Sequence, residues 1–305
     1  MQENESKVLV GLADGRIIEY IVGEDDASPK LTELTPKRTN INFEAIKMVT
    51  IKDFACIGSA NGSVNIWSMD DGSWEHLKTL ELKGKKEYGK KWEVVALDVD
   101  DKYLYTGGPT GFIEIWDPNA DFEKVGDFQI NTDPVRGLHV NSKAIFLAAG
   151  EAMLSVVQKD DYGEIYTERY PWAKYRINTM AVNENFLCVA LTGRVFAYQF
   201  NEETMQVRKY AEFPNTHNKV KDLCLYFNLC YSAPWDGQLR AWNILSKNPN
   251  PILSGSTGSL ESICVDRNYI YIGSHHGRLT VLDKMNGNKT KHVSEFGSAV
   301  QSIYR

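Results

Sequence analysis

VKDLCLYFNLCYSAPWDGQLRAWNIL, residues Val220–Leu245, reads as three short strands in succession. Val220, Leu223 and Leu225 fall on one strand, and Asn228 marks a tight turn. Leu229, Tyr231 and Ala233 form a second strand, and Leu239, Ala241 and Trp242 a third. Asp236-Gly237 separates the last two. An Asp-Gly pair between apolar runs signals a two-residue hairpin, because a primed turn needs positive φ, which glycine adopts without a side-chain clash.

The same unit recurs along the 305-residue chain. Aligning the turns puts Gly15, Gly62, Gly111, Ala152, Gly193, Gly237 and Gly277 in register, at intervals of 40 to 49 residues. Five residues after each turn stands a bulky side chain: Tyr20, Trp67, Trp116, Val157, Tyr198, Trp242 and Leu282. Four residues before it stands a mostly small one: Gly11, Gly58, Gly107, Ala148, Val189, Ala233 and Gly273. Upstream of these, segments such as Phe43–Met48, Val94–Val99 and Leu260–Val265 share an apolar-x-x-apolar-x-apolar pattern. Strand-only units at this period predict a propeller or a related array. Near-continuous apolar runs, as in 144–148, are what strands covered on both faces require. The bulky residue is expected to fill the space between adjacent sheets.

The two ends predict how the array closes. Val300–Arg305 repeats the first strand of a unit, and Lys7–Gly11 repeats a second strand that lacks its first. Joining them completes a seventh unit and removes the exposed sheet edges that invite aggregation. The expectation is one all-β domain, a seven-bladed β-propeller. Its blades fall at 300–305 with 7–38, then 43–82, 92–130, 134–170, 176–213, 219–254 and 259–294.

Composition narrows the function classes. A net charge of −6 does not point to a general polyanion binder. The opening MQENESK lacks the apolar core of a secretory signal, and no apolar run nears the ~20 residues that span a bilayer. Cys56, Cys188, Cys224, Cys230 and Cys264 are odd in number and form no C-x-x-C pair. They read as buried thiols in a reducing compartment, so an intracellular protein, cytoplasmic or nuclear, is expected.

Candidate chemistry is sparse. Gly84–Lys91 approximates a phosphate-binding loop, but Lys91 replaces the Ser or Thr that would meet magnesium, and no strand and helix flank it. His275-His276 sits at a hairpin tip with no carboxylate or cysteine beside it in sequence. Acidic pairs, Asp100-Asp101 among them, fall at predicted turns, where aspartate bonds the local backbone. No cofactor, metal or catalytic residue is called for, and an enzyme with a site at the channel mouth is the weakest of the readings. Lys83, Lys85, Lys86, Lys90 and Lys91, near Trp74, Tyr88 and Trp92, suit a single RNA strand, an acidic protein segment or plain solvation. Tyr162–Arg176 is rich in Tyr, Trp and Arg, and Trp172 and Tyr175 within it are of the types that anchor protein interfaces.

Ile57–Trp67 (IGSANGSVNIW), Tyr105–Asp117 (YTGGPTGFIEIWD) and Tyr231–Trp242 (YSAPWDGQLRAW) resemble WD40 repeats. At the bulky position of the repeat only Trp116-Asp117 is a literal Trp-Asp pair, and no Gly-His precedes a first strand. Packing is therefore expected to replace the polar tetrad that ties blades together in that family. The resemblance implies peptide binding across the wider mouth of the channel. Its contacts would come from the residue after the first apolar position of each inner strand: Glu44, Val95, Arg136, Asn178, Lys221, Glu261 and Gln301. Hairpin tips, including Trp235 and His275, would add to them. Arg136, Arg176, Lys219 and Lys221 would then make one sector basic beside Trp235, with Glu44 and Glu261 acidic opposite. Such a mouth suits a partner segment carrying an acidic residue near an apolar anchor. The implied function is a non-catalytic protein-interaction scaffold, a monomeric propeller within an intracellular complex. The alternative is RNA or single-strand binding through 83–91 and the Arg136–Lys221 sector.

Overall fold

The computed structural model describes residues 6–23, 27–34, 45–59, 62–69, 74–82, 96–130, 133–150, 152–160, 162–170, 177–214, 219–246, 248, 251, 253–256, 258–285 and 289–305. Their strands assemble into seven four-stranded antiparallel sheets, the blades of a closed propeller. In the sixth blade, Val220–Tyr226, Leu229–Pro234, Gln238–Asn243 and Leu253–Ser256 succeed one another from the axis outward.

The ring shuts as the termini predict. Val300–Tyr304 pairs antiparallel with Lys7–Leu12, placing Tyr304 opposite Leu9 and Ile303 opposite Val10. As the inner strand of the first blade, it also packs against Ala45–Ile51 on one side and Leu260–Val265 on the other. The pairing supplies the inner strand that the first blade lacks in chain order.

All seven bulky residues of the repeat are buried. Trp242 shows why. Its indole stacks on Phe213 of the neighbouring outer strand Gln206–Pro214, with ring centroids 5.6 Å apart, inside a cluster built from both the fifth and sixth blades. The small residue before each turn has an equally direct cause. A Cβ on Gly273 would lie 2.3 Å from Ser262 Oγ and 2.5 Å from Val300 Cγ1, where the next inner strand passes. Gly107 meets Val135 in the same way, at 2.6 Å. In the fourth blade, where the turn glycine is lost, Ala152 still holds a left-handed φ of 59°.

Two registers differ from the sequence pattern. The fifth-blade hairpin is one residue shorter, so Ala190, opposite Thr179, takes the small position expected for Val189. The second inner strand is Ala45–Ile51 with Lys47 opposite Gly58, two residues later than Phe43–Met48 predicts. Apolar pattern alone does not fix register where a strand is flanked by further apolar residues, as Met48, Val49 and Ile51 are here.

Within the third blade one polar pair joins the second and third strands. Trp116 Nε1 donates to Thr106 Oγ1 at 3.0 Å, the Trp–Thr half of a family-like tetrad. The equivalent Trp242 Nε1 and Ser232 Oγ are both buried without a hydrogen bond. Polar contacts also join neighbouring inner strands, these four among them. Val140 N–H donates to Asp98 Oδ2 at 2.8 Å, and Ile263 N–H to Asp222 Oδ2 at 3.0 Å. Ser262 Oγ donates to the Val300 carbonyl at 3.0 Å, and His139 Nε2 lies 2.8 Å from the Met180 carbonyl.

The turns after the inner strands repeat a single device. Asp100, Asn141, Asn183 and Asp266 each accept the backbone N–H groups two and three residues ahead. This local bonding is what favours Asp and Asn at such sites.

Candidate functional site: the channel mouth

The inner strands converge on a cavity of about 260 Å³ on the propeller axis. Alternation along each strand turns every second side chain toward the channel or its flanks. Arg136, Asn178, Lys221, Glu261 and Gln301, five of the predicted inner-strand positions, all line it. Val95 and Glu44 lie outside the described residues; the register of the second blade puts Ile46, not Glu44, at the position equivalent to Lys221. Arg176, Trp172, Tyr175 and the basic run Lys83, Lys85, Lys86, Lys90 and Lys91 also lie outside the described residues.

Charge is arranged differently from the two-sector expectation. Lys221 and Glu261 stand on adjacent blades and pair, Nζ to Oε2 at 2.7 Å. Glu261 is buried, and its other oxygen lies 3.2 Å from His275 Nδ1. The hairpin-tip histidine thus gains a carboxylate partner that its own sequence neighbourhood does not supply. Trp235 projects from the sixth hairpin at 52% exposure, its backbone N–H held by the Lys219 carbonyl at 2.9 Å. The Lys221 ammonium sits 5.5 Å from the Trp235 ring centroid, within cation–π range. Buried carboxylate, ammonium and indole therefore form one chain from channel wall to lip.

One layer deeper stand Lys47 and Asp222, which the sequence reading did not single out. Burial pushes the Asp222 carboxyl up, and the Lys47 ammonium and the N–H groups of Ile263 and Leu223 oppose that rise only in part. The signal for Asp222 was its place directly after Lys221 on a strand whose neighbours are apolar. Lys47 was hidden by the two-residue offset. Asn178 Nδ2 and Ser302 Oγ are buried and make no hydrogen bond, so the cavity wall offers one donor and one hydroxyl to an incoming group. Among the described lining residues, three cations (Lys47, Arg136, Lys221) face two carboxylates (Asp222, Glu261).

Among the described residues, no group of three or more His, Cys, Asp or Glu side chains has the arrangement of a metal site. The five thiols are free and buried or half-buried. Among the described residues no helix is long and apolar enough to cross a membrane.

No protein-family model matches the chain. No curated protein matches it by sequence. Among solved structures, a crystal structure of the computationally designed Ika8 protein is similar, with a TM-score of 0.70 and 17% identity. That similarity covers 99% of this chain and 87% of the designed one. The structure of U3-55K is similar over 87% of this chain and 85% of its own, with a TM-score of 0.69 and 15% identity. At these identities the likeness is one of fold: the chain is an all-β, seven-bladed propeller.

Proposed function

We propose that the protein is a non-catalytic docking platform whose channel mouth takes a partner's peptide segment bearing one acidic residue beside an apolar anchor. The observation that carries this reading is the Glu261–Lys221–Trp235 chain. A half-exposed indole contributes little to a blade's own packing, yet this one is oriented by a cation that is itself fixed on a buried carboxylate. Preorganised aromatic and basic groups of this kind are the residue types that concentrate binding energy. The excess of cations over carboxylates in the lining favours an acidic side chain entering beside Arg136. The step from propeller to scaffold rests on what such folds commonly do, since a fold by itself does not set a function.

The test is fluorescence anisotropy with a labelled ten-residue peptide carrying three glutamates and two leucines. Saturable binding that weakens at least about ten-fold in Trp235→Ala and in Arg136→Glu is expected. Equal affinity for wild type and both variants would remove the mouth as the site.

A further inference from the structure

The opposite end of the channel carries a second surface of different chemistry. A groove of about 810 Å³ opens there under the third to sixth blades, at the turns that follow their inner strands. Among the described residues four carboxylates line it, Asp100, Asp101, Glu184 and Glu202, and no lysine or arginine does. Asp100 is neutralised from within by Lys159, and Glu202 accepts from Ser142 Oγ at 3.1 Å. The nearby Lys102 is drawn onto the Tyr103 ring, 4.7 Å from its centroid. Asp101 and Glu184 are left as exposed turn-tip carboxylates facing the groove.

Phe227 marks the apolar wall. It is 73% exposed and stands at a turn tip with φ of 52°, a region that bulky residues rarely adopt. The other described turns of this class carry polar tips: Lys52-Asp53, Asp101-Lys102, Ser142-Lys143, Glu184-Asn185 and Arg267-Asn268. The Phe227 ring meets Tyr226 edge-on with centroids 4.7 Å apart, but the turn does not require an aromatic, since Lys52 shows that a polar residue takes the same φ. The turn is nevertheless held in place, since Asn183 Nδ2 donates to the Phe227 carbonyl at 2.7 Å across the blade boundary. Leu245, 55% exposed, lines the same groove.

The geometry points to a second docking surface, for a partner segment carrying basic residues beside an apolar side chain. The apolar side chain rests on Phe227 and Leu245, and the basic residues reach Asp101 and Glu184. Charge complementarity sets this choice: a groove whose described lining carries carboxylates and no lysine or arginine repels the acidic segment suited to the other mouth and attracts a basic one. One ring would then hold two partners of opposite charge on its two faces.

The test uses a labelled ten-residue peptide with three arginines and two leucines, against the full chain. Saturable binding is expected, weakened at least about ten-fold in Phe227→Ser and in the double variant Asp101→Lys/Glu184→Lys, and unchanged in Trp235→Ala. A version with serines in place of the leucines should bind at least about ten-fold more weakly. All substituted positions are exposed, and unchanged melting temperatures will show that the fold persists. Absence of saturable binding, equal affinity in both variants, or equal affinity for the leucine-free peptide would each overturn the inference. The last result would mean attraction to net negative charge alone. Because Trp235→Ala affects only the acidic peptide, failure at one face is distinguishable from failure at the other.

Discussion

Trp116 and Trp242 occupy the same place in two blades, yet replacing each by phenylalanine should have different consequences. Each fills the gap to a neighbouring sheet, and each is at least nine-tenths buried. Trimming indole to phenyl leaves a void of about 40 Å³, which at ~24 cal/mol per Å³ costs about 1 kcal/mol at either site. Trp116 also gives up its 3.0 Å bond to Thr106 Oγ1, for about 1 kcal/mol more. Trp242 has no such bond to lose. Its indole N–H is desolvated without compensation, a penalty of about 1–3 kcal/mol that phenylalanine removes. Trp116→Phe should therefore destabilise by about 2 kcal/mol, while Trp242→Phe should fall between neutral and about 2 kcal/mol more stable than wild type. Trp242→Ala, which also abolishes the stack on Phe213, should cost about 3–5 kcal/mol. Urea unfolding followed by circular dichroism measures all three. A Trp242→Phe loss as large as that of Trp116→Phe would refute the claim that packing, without the polar pair, holds the sixth blade.

Gly273→Ala should destabilise by about 1–3 kcal/mol, because the new methyl meets Ser262 and Val300 across the ring closure. Gly126→Ala, whose Cβ finds its nearest neighbour at 3.8 Å, should be close to neutral in the same melt. Acid sensitivity should trace in part to Asp100. Burial raises this carboxyl, but the Lys159 ammonium, the N–H groups of Tyr103 and Lys102 and the Tyr105 hydroxyl outweigh it and hold it below its usual 3.8. A carboxyl depressed in the fold contributes stability above its unfolded value and loses it as pH falls toward the folded one. Asp100→Asn should accordingly lower the melting temperature at pH 7 and flatten its decline below about pH 4, in scans across that range.

The turn glycines and the bulky residue five places later were legible because both answer to local backbone chemistry and to a buried gap that every blade must fill. Closure by Val300–Tyr304 was legible for a topological reason: an unpaired inner strand at one end and a missing one at the other have a single economical solution. What escaped depends on neighbours some 40 residues away. Nothing around Lys221 announces that Glu261 will pair with it, since the contact exists only once blades stand side by side. The offset of Lys47 went unseen because an apolar pattern tolerates a two-residue slip that keeps the same face inward. The groove beneath was invisible for a related reason. Phe227 stands beside the turn marked by Asn228, and nothing in the sequence says that its ring faces solvent.

A photoreactive phenylalanine analogue at position 235, compared with one at 125 on the outer strand Glu123–Gln129, tests the docking claim most directly. The native side chains at the two positions are equally exposed, at 52%, so chance encounter labels them alike. Irradiation with the glutamate–leucine peptide should give adducts at 235 that diminish in Arg136→Glu, with little at 125. Equal labelling of both positions, or adducts at 235 that survive Arg136→Glu undiminished, would contradict a binding site at the channel mouth.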